Sequence, residues 1–278
     1  MRNVLVIAWR DIRAMFVSPI AYVVLTGFLL LAGWFFFNLL GQLNRMVAIY
    51  SGVEGYDTTW LNLNDAVIAP LLQNLSVVLL IVIPMLTMRS YAEERSSGTY
   101  ELLFTSPVRV GEIVLGKFLA GLFMVTLMVG LTLLYAGILL YFGNPEIGLL
   151  ASGFLGLYLV AVSYVAVGNF TSSLTSNQII AAVSSLVILL LLFVISWPAD
   201  GASETVKRVL THASVTEHLS TMIRGIIDTK DLVYFGSLIV VFLFLTHRAV
   251  EFARWKYRGV ACADSWYRRP DPALLRGS

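Results

Sequence analysis

The chain has 278 residues, 58% of them hydrophobic and 13% charged, with a formal net charge of +2 and a mean hydropathy of +0.81. A water-soluble domain carries about 25% charged residues, so the composition excludes an ordinary soluble core, and nothing in the small net charge points to nucleic acid. The apolar runs are about 20 residues long and do not alternate, which predicts membrane-spanning helices and an all-α integral membrane protein.

Residues 2–17, RNVLVIAWRDIRAMFV, come first. At 100° per residue, Val4, Leu5, Ala8, Trp9, Ile12, Met15 and Phe16 share a face opposite Arg2, Asn3, Arg10 and Arg13, while Val6 and Ile7 interrupt the pattern. This predicts an amphipathic helix in the membrane interface; the alternative is a plain extension of the first span. Ser18-Pro19 is a natural turn into that span, 20–40. The run is longer than the apolar core of a signal peptide and reads as uncleaved. A loop, 41–65, leads to a second span, 66–88, in which Pro70 and Pro84 permit a kink.

The stretch 89–117, RSYAEERSSGTYELLFTSPVRVGEIVLGK, is compact, charged and turn-rich between two apolar runs. Glu93, Glu94 and Arg95 stand at the membrane edge and Gly98 provides a break. TYELLF then brings Leu102, Leu103 and Phe104 into water. Ser106-Pro107 has the form of a helix start, and Lys117 is expected to stop the next span at the interface. Apolar side chains in such a place either plug a groove on another protein or pack as a hairpin on the chain's own helices. The residues leave both readings open.

The third span is read at 118–142 and the fourth at 148–170. Asn169–Gln178 forms a polar turn before the fifth, 178–197. Within 198–231, Ser214 and Glu217 are spaced as a capping box, Val215, Leu219, Met222 and Ile226 follow at helical spacing, and Gly225 sits near the helix end. This short helix is either re-entrant or interfacial. Its polar candidates are His218 and Arg224, for which a solvated face is the plainer reading. The sixth span, 232–246, is the shortest, and the count falls to five if it lies on the surface. Residues 1–258 thus form one transmembrane domain, and 259–278, without apolar periodicity, are expected to be a mobile basic tail. With both termini placed in the cytoplasm, fourteen of the 19 Lys and Arg fall inside, which fixes the expected orientation.

Cys262 is the single cysteine, so no internal disulfide is expected. His212, His218 and His247 lie in no metal-binding pattern, and no nucleophile motif accompanies Ser163, Ser184 or Ser185, which read as packing residues. A phosphate-binding Gly-x-x-x-x-Gly-Lys-Ser/Thr is absent; Gly116-Lys117 runs straight into Phe118. No catalytic residue, metal or cofactor is therefore expected in this chain. The spans as drawn contain no ionisable residue, which disfavours an ion-coupled carrier and favours an apolar or amphipathic cargo, or a machine that transmits motion.

The segment EERSSGTYELLFTSPVRVGEIVLGK resembles the connection between the second and third spans of ABC-2-type transporter permeases. Glu93, Glu94, Gly98, Thr99, Glu101, Leu102, Leu103, Ser106, Pro107, Ile113, Gly116 and Lys117 stand in register with that pattern. SSLTSNQIIAA (172–182) and IRGIIDTKDLVYF (223–235) are also similar, especially to the gliding-motility-type branch. The resemblance implies a permease subunit in the bacterial cytoplasmic (inner) membrane, an exporter whose 89–117 loop couples it to a separate ATPase through Glu93, Glu94, Arg95, Gly98, Thr99, Glu101, Leu102, Leu103, Ser106 and Pro107. ATP and Mg would sit on that ATPase, and a second permease copy or a homologous permease would complete the pathway. The alternative is a mechanotransmission subunit that acts on an extracytoplasmic partner without moving cargo.

Overall fold

In a computed structural model of the chain, described for residues 2–50, 63–98, 108–142, 145–201 and 203–267, the regular structure is helical throughout. The elements are α1 (Arg2–Val17), α2 (Pro19–Tyr50), a π turn (Asn64–Ile68) leading into α3 (Ala69–Thr87), α4 (Arg89–Ser96), α5 (Val110–Phe142), α6 (Ile147–Leu174), α7 (Gln178–Val194), a 3-10 turn (Trp197–Gly201), α8 (Glu204–Ala213), α9 (Val215–Ile223) and α10 (Thr229–Tyr267). Five stretches are long and apolar enough to cross a membrane: Pro19–Ile49, Asn64–Ser96, Val110–Tyr141, Ile147–Leu174 and Thr229–Arg254. The expected fifth span is the shorter α7, whose 17 residues rise about 26 Å, close to the thickness of the hydrocarbon core.

Helix α6 is the axis of the bundle. It packs against α3, α4, α5, α7, α9 and α10, and 78% of its apolar stretch is buried, against 17% for α10. Its sequence is apolar all round rather than amphipathic, as a helix with neighbours on every side must be. Ser152, Gly153, Gly156, Ala161, Ser163 and Ala166 are buried along it, and such small side chains let neighbouring backbones approach. Phe28 and Phe36 of α2, Leu75 and Leu79 of α3, Met128 of α5, Leu189 of α7 and Phe235 of α10 close the core around Leu157 and Tyr164.

Several boundaries differ from the sequence reading. Helix α2 continues to Tyr50 instead of yielding to a loop at Gly41. The polar turn after α6 shrinks to Thr175–Asn177, because Thr171, Ser172 and Ser173 donate to helix or neighbouring carbonyls and are tolerated inside α6. Asn177 caps α7 by accepting from the Ile179 N–H at 2.9 Å. Helix α10 runs on to Tyr267, past the domain boundary set at 258. The amphipathic helix α8 had no counterpart in the sequence reading.

Candidate functional site

Four helices converge where the 99–107 segment is anchored. Helix α4 delivers the chain into that segment and α5 receives it, while α1 crosses α5 and α10 packs behind. Ile7 of α1, Tyr91 of α4, Val110, Ile113 and Val114 of α5 and Val250 of α10 form one buried apolar cluster. Ile7, which interrupts the amphipathic pattern of α1, is thus the residue that docks it. A Cβ at Gly116 would stand 2.8 Å from Ile7 Cγ2 and 3.1 Å from the Val4 carbonyl oxygen, so a side chain there would push α1 away. Leu5, Val6 and Trp9 of α1 stay exposed.

Beside this cluster lies a closed ring of alternating charge. Lys117 lies two turns inside α5. Its side chain is only 2% exposed and its ammonium reaches Glu94 Oε1 at 3.0 Å and Asp11 Oδ2 at 3.2 Å. It also donates to the Ser90 carbonyl oxygen and stands 5.1 Å from the centre of the Tyr91 ring. Arg10 closes the ring, 2.7 Å from Glu94 Oε1 and 2.8 Å from Asp11 Oδ1. Burial opposes the charge on Arg10, but Asp11 and Glu94 outweigh it and hold the guanidinium above its ordinary value. A lysine can sit this deep because each of its neighbours carries the opposite charge or a free lone pair.

The same region fixes the helix junctions. Ser172 of α6 accepts from the Tyr91 and Ala92 N–H groups at 3.0 and 3.3 Å and donates to the Met88 carbonyl oxygen at 3.0 Å. One hydroxyl inserted into the backbone ladder accounts for the break between α3 and α4. At the other edge, Glu112 Oε2 accepts from the Arg109 N–H at 3.1 Å, the carboxylate half of a capping box, and Asn3 donates to the same carboxylate at 3.4 Å.

Of the residues singled out from sequence, Glu94 lies in the ring, Glu93 is exposed on the same helix, Arg95 is half-buried, and Gly98 has the positive φ of 72° that ends α4's approach. Thr99, Glu101, Leu102, Leu103, Ser106 and Pro107 lie outside the described residues, and α5 begins at Val110. Arg10, Asp11, Lys117 and Ser172 were not recognised as a group. One signal was available: Asp11 is the sole acidic residue before Glu54, and a lone carboxylate in a basic helix calls for a buried cation opposite.

At the far end, His218 is buried, not on a solvated face. Its Nδ1 lies 2.6 Å from Asp231 Oδ1, its Nε2 lies 3.0 Å from the His212 carbonyl oxygen, and its ring stacks on Tyr234 at 4.1 Å. Asp231, in the first turn of α10, is buried too; Lys117 and Asp231 each stand one residue before a span drawn from sequence, at 118 and 232, and are buried inside the longer helices α5 and α10. The capping box at Ser214 does not form: Ser214 makes no cap bond and its hydroxyl instead donates to Ser196 at 3.1 Å. Arg224 is exposed, and Gly225, at φ 86°, ends α9. Among the described residues no cluster of three His, Cys, Asp or Glu is placed to hold a metal.

A family model described as "ABC-2 family transporter protein" matches residues 54–246. No curated protein matches the chain.

Proposed function

Since the chain belongs to the ABC-2 transporter family and is the multi-pass membrane subunit of an ABC transporter, we propose that it is an exporter driven by a separate ATPase that docks on the 89–117 connection. The carrying observation is the convergence at the roots of that connection. Ring and apolar cluster tie α4 and the start of α5 to α1, α6 and α10. A force delivered to α4 or to the start of α5 is therefore passed by direct contact to α1, α6 and α10. In this reading ATP and Mg bind the ATPase, both termini and the connection face the cytoplasm of a bacterial inner membrane, and a second permease completes the pathway.

The anchors assigned by resemblance are Leu102 and Leu103, with Glu101 setting electrostatic fit. Losing a buried leucine side chain costs about 2–5 kcal/mol, so Leu102→Ala with Leu103→Ala should weaken docking by roughly tens- to thousands-fold. Co-purification of the ATPase with the variant, and the ATPase rate of whatever complex remains, measure this. Retention at the wild-type level would remove the coupling reading and leave a self-packed hairpin.

A second reading, mechanotransmission to an extracytoplasmic partner, draws on α8. This helix has no buried residue and exposes Val206 and Val209. ATPase activity in liposomes that rises with such a partner, and not with a cargo, would favour it.

A further inference from the structure

Between α1, the α1–α2 turn and the α3–α4 junction lies a cavity of about 280 Å³. Six charged side chains line it: Arg10, Asp11, Arg89, Glu93, Glu94 and Lys117. Four of them close on one another in the ring already described. That leaves Arg89 and Glu93, and among the described residues neither has an ion-pair partner. Arg89 donates from Nη1 to Ser18 Oγ at 3.1 Å, and its buried Nε has no hydrogen-bond partner. Glu93 stands one helical turn away, a rise of about 6 Å, at the exposed mouth. Met15, Ile20, Ala21, Met85 and Leu86 make up the apolar part of the lining. From Met85 an exposed apolar stripe continues along α3 through Ile81 and Val77 at four-residue spacing.

We propose that this cavity is a phospholipid site for a zwitterionic headgroup, with the phosphate on Arg89, the ammonium at Glu93 and an acyl chain along Met85, Ile81 and Val77. An arginine that lines a part-buried cavity without an ion-pair partner among the described residues suits a phosphate oxygen. The carboxylate beside it disfavours an anionic headgroup and suits an amine one two-carbon spacer from the phosphate. The uncommitted charges of the cavity sum to zero, as those of phosphatidylethanolamine do. This site shares Glu93 with the residues that the resemblance assigns to coupling, but its test involves neither the 99–107 segment nor the ATPase.

The test is lipid binding to the full chain, purified and delipidated in detergent, followed by native mass spectrometry with phosphatidylethanolamine, phosphatidylglycerol and inorganic phosphate as probes. Wild type should bind phosphatidylethanolamine about tenfold more tightly than phosphatidylglycerol, the worth of one charge-assisted hydrogen bond. Arg89→Gln should weaken both lipids about tenfold. Glu93→Gln, at an exposed position that folding does not depend on, should weaken phosphatidylethanolamine alone and erase the preference. Equal binding of the two lipids by wild type, an unchanged preference in Glu93→Gln, or displacement of the lipid by inorganic phosphate would each overturn the site.

Discussion

A lysine ammonium two turns inside an apolar helix survives there only while opposite charge surrounds it. Lys117→Met should show this directly. It removes the cation common to Asp11 and Glu94 and leaves two part-buried carboxylates that both still face Arg10. Breaking a buried pair costs about 3–5 kcal/mol, and Arg10 keeps the loss near the lower figure. Thermal unfolding in detergent measures it. Adding Asp11→Asn and Glu94→Gln to Lys117→Met should recover part of the stability, since the half-exposed Arg10 is then the one member of the ring still charged. A loss below about 1 kcal/mol for the single change would mean that water, not the ring, carries these charges. His218 follows the same logic with a different partner set. Both its ring nitrogens face oxygens, those of Asp231 and the His212 carbonyl, which hold the buried ring in place.

Among the elements, the spans were legible because apolar length is a local property that a run of residues declares by itself. Their ends were not. Helix α6 absorbs Thr171, Ser172 and Ser173 because each finds a carbonyl to donate to, and hydropathy does not register that pairing. Helix α1 was legible as amphipathic, yet its docking contact was not, since Ile7 meets Gly116 across 109 positions of chain. The capping box failed because Ser214 found a better partner in Ser196. The α3–α4 break depends on a hydroxyl from a third helix, so no local pattern could have placed it. Ser172→Ala should therefore leave the Tyr91 and Ala92 N–H groups without their acceptor and loosen the junction at the root of the 99–107 segment. Faster amide hydrogen exchange confined to 88–96 is the expected signature, together with a stability loss of about 1–3 kcal/mol for the buried groups left unpaired. Unaltered exchange in that window would show that the hydroxyl is incidental to the break.

For the molecule as a whole, α6 is the fixed reference and the ends are where charge is handled, by the ring at one and by His218 with Asp231 at the other. The composition made an all-α membrane protein plain. The ring stayed hidden because Asp11 and Lys117 are 106 positions apart in sequence, and only the folded bundle brings them to 3.2 Å. That separation has a consequence in time. During synthesis α1 leaves the ribosome well before its partners, Glu94 and Lys117, which arrive only after two apolar stretches have been made. Until then its lone carboxylate and the Ile7 face have nowhere to settle, and α1 must wait at the surface as an open latch. A cysteine placed at Ile7, with Cys262→Ser to clear the background, reports the moment of closing. In arrested chains it should react readily with a soluble thiol reagent until Lys117 has emerged, then become protected as the third long helix takes its place. Protection in chains that stop short of Gly116 would mean that the latch closes on something else.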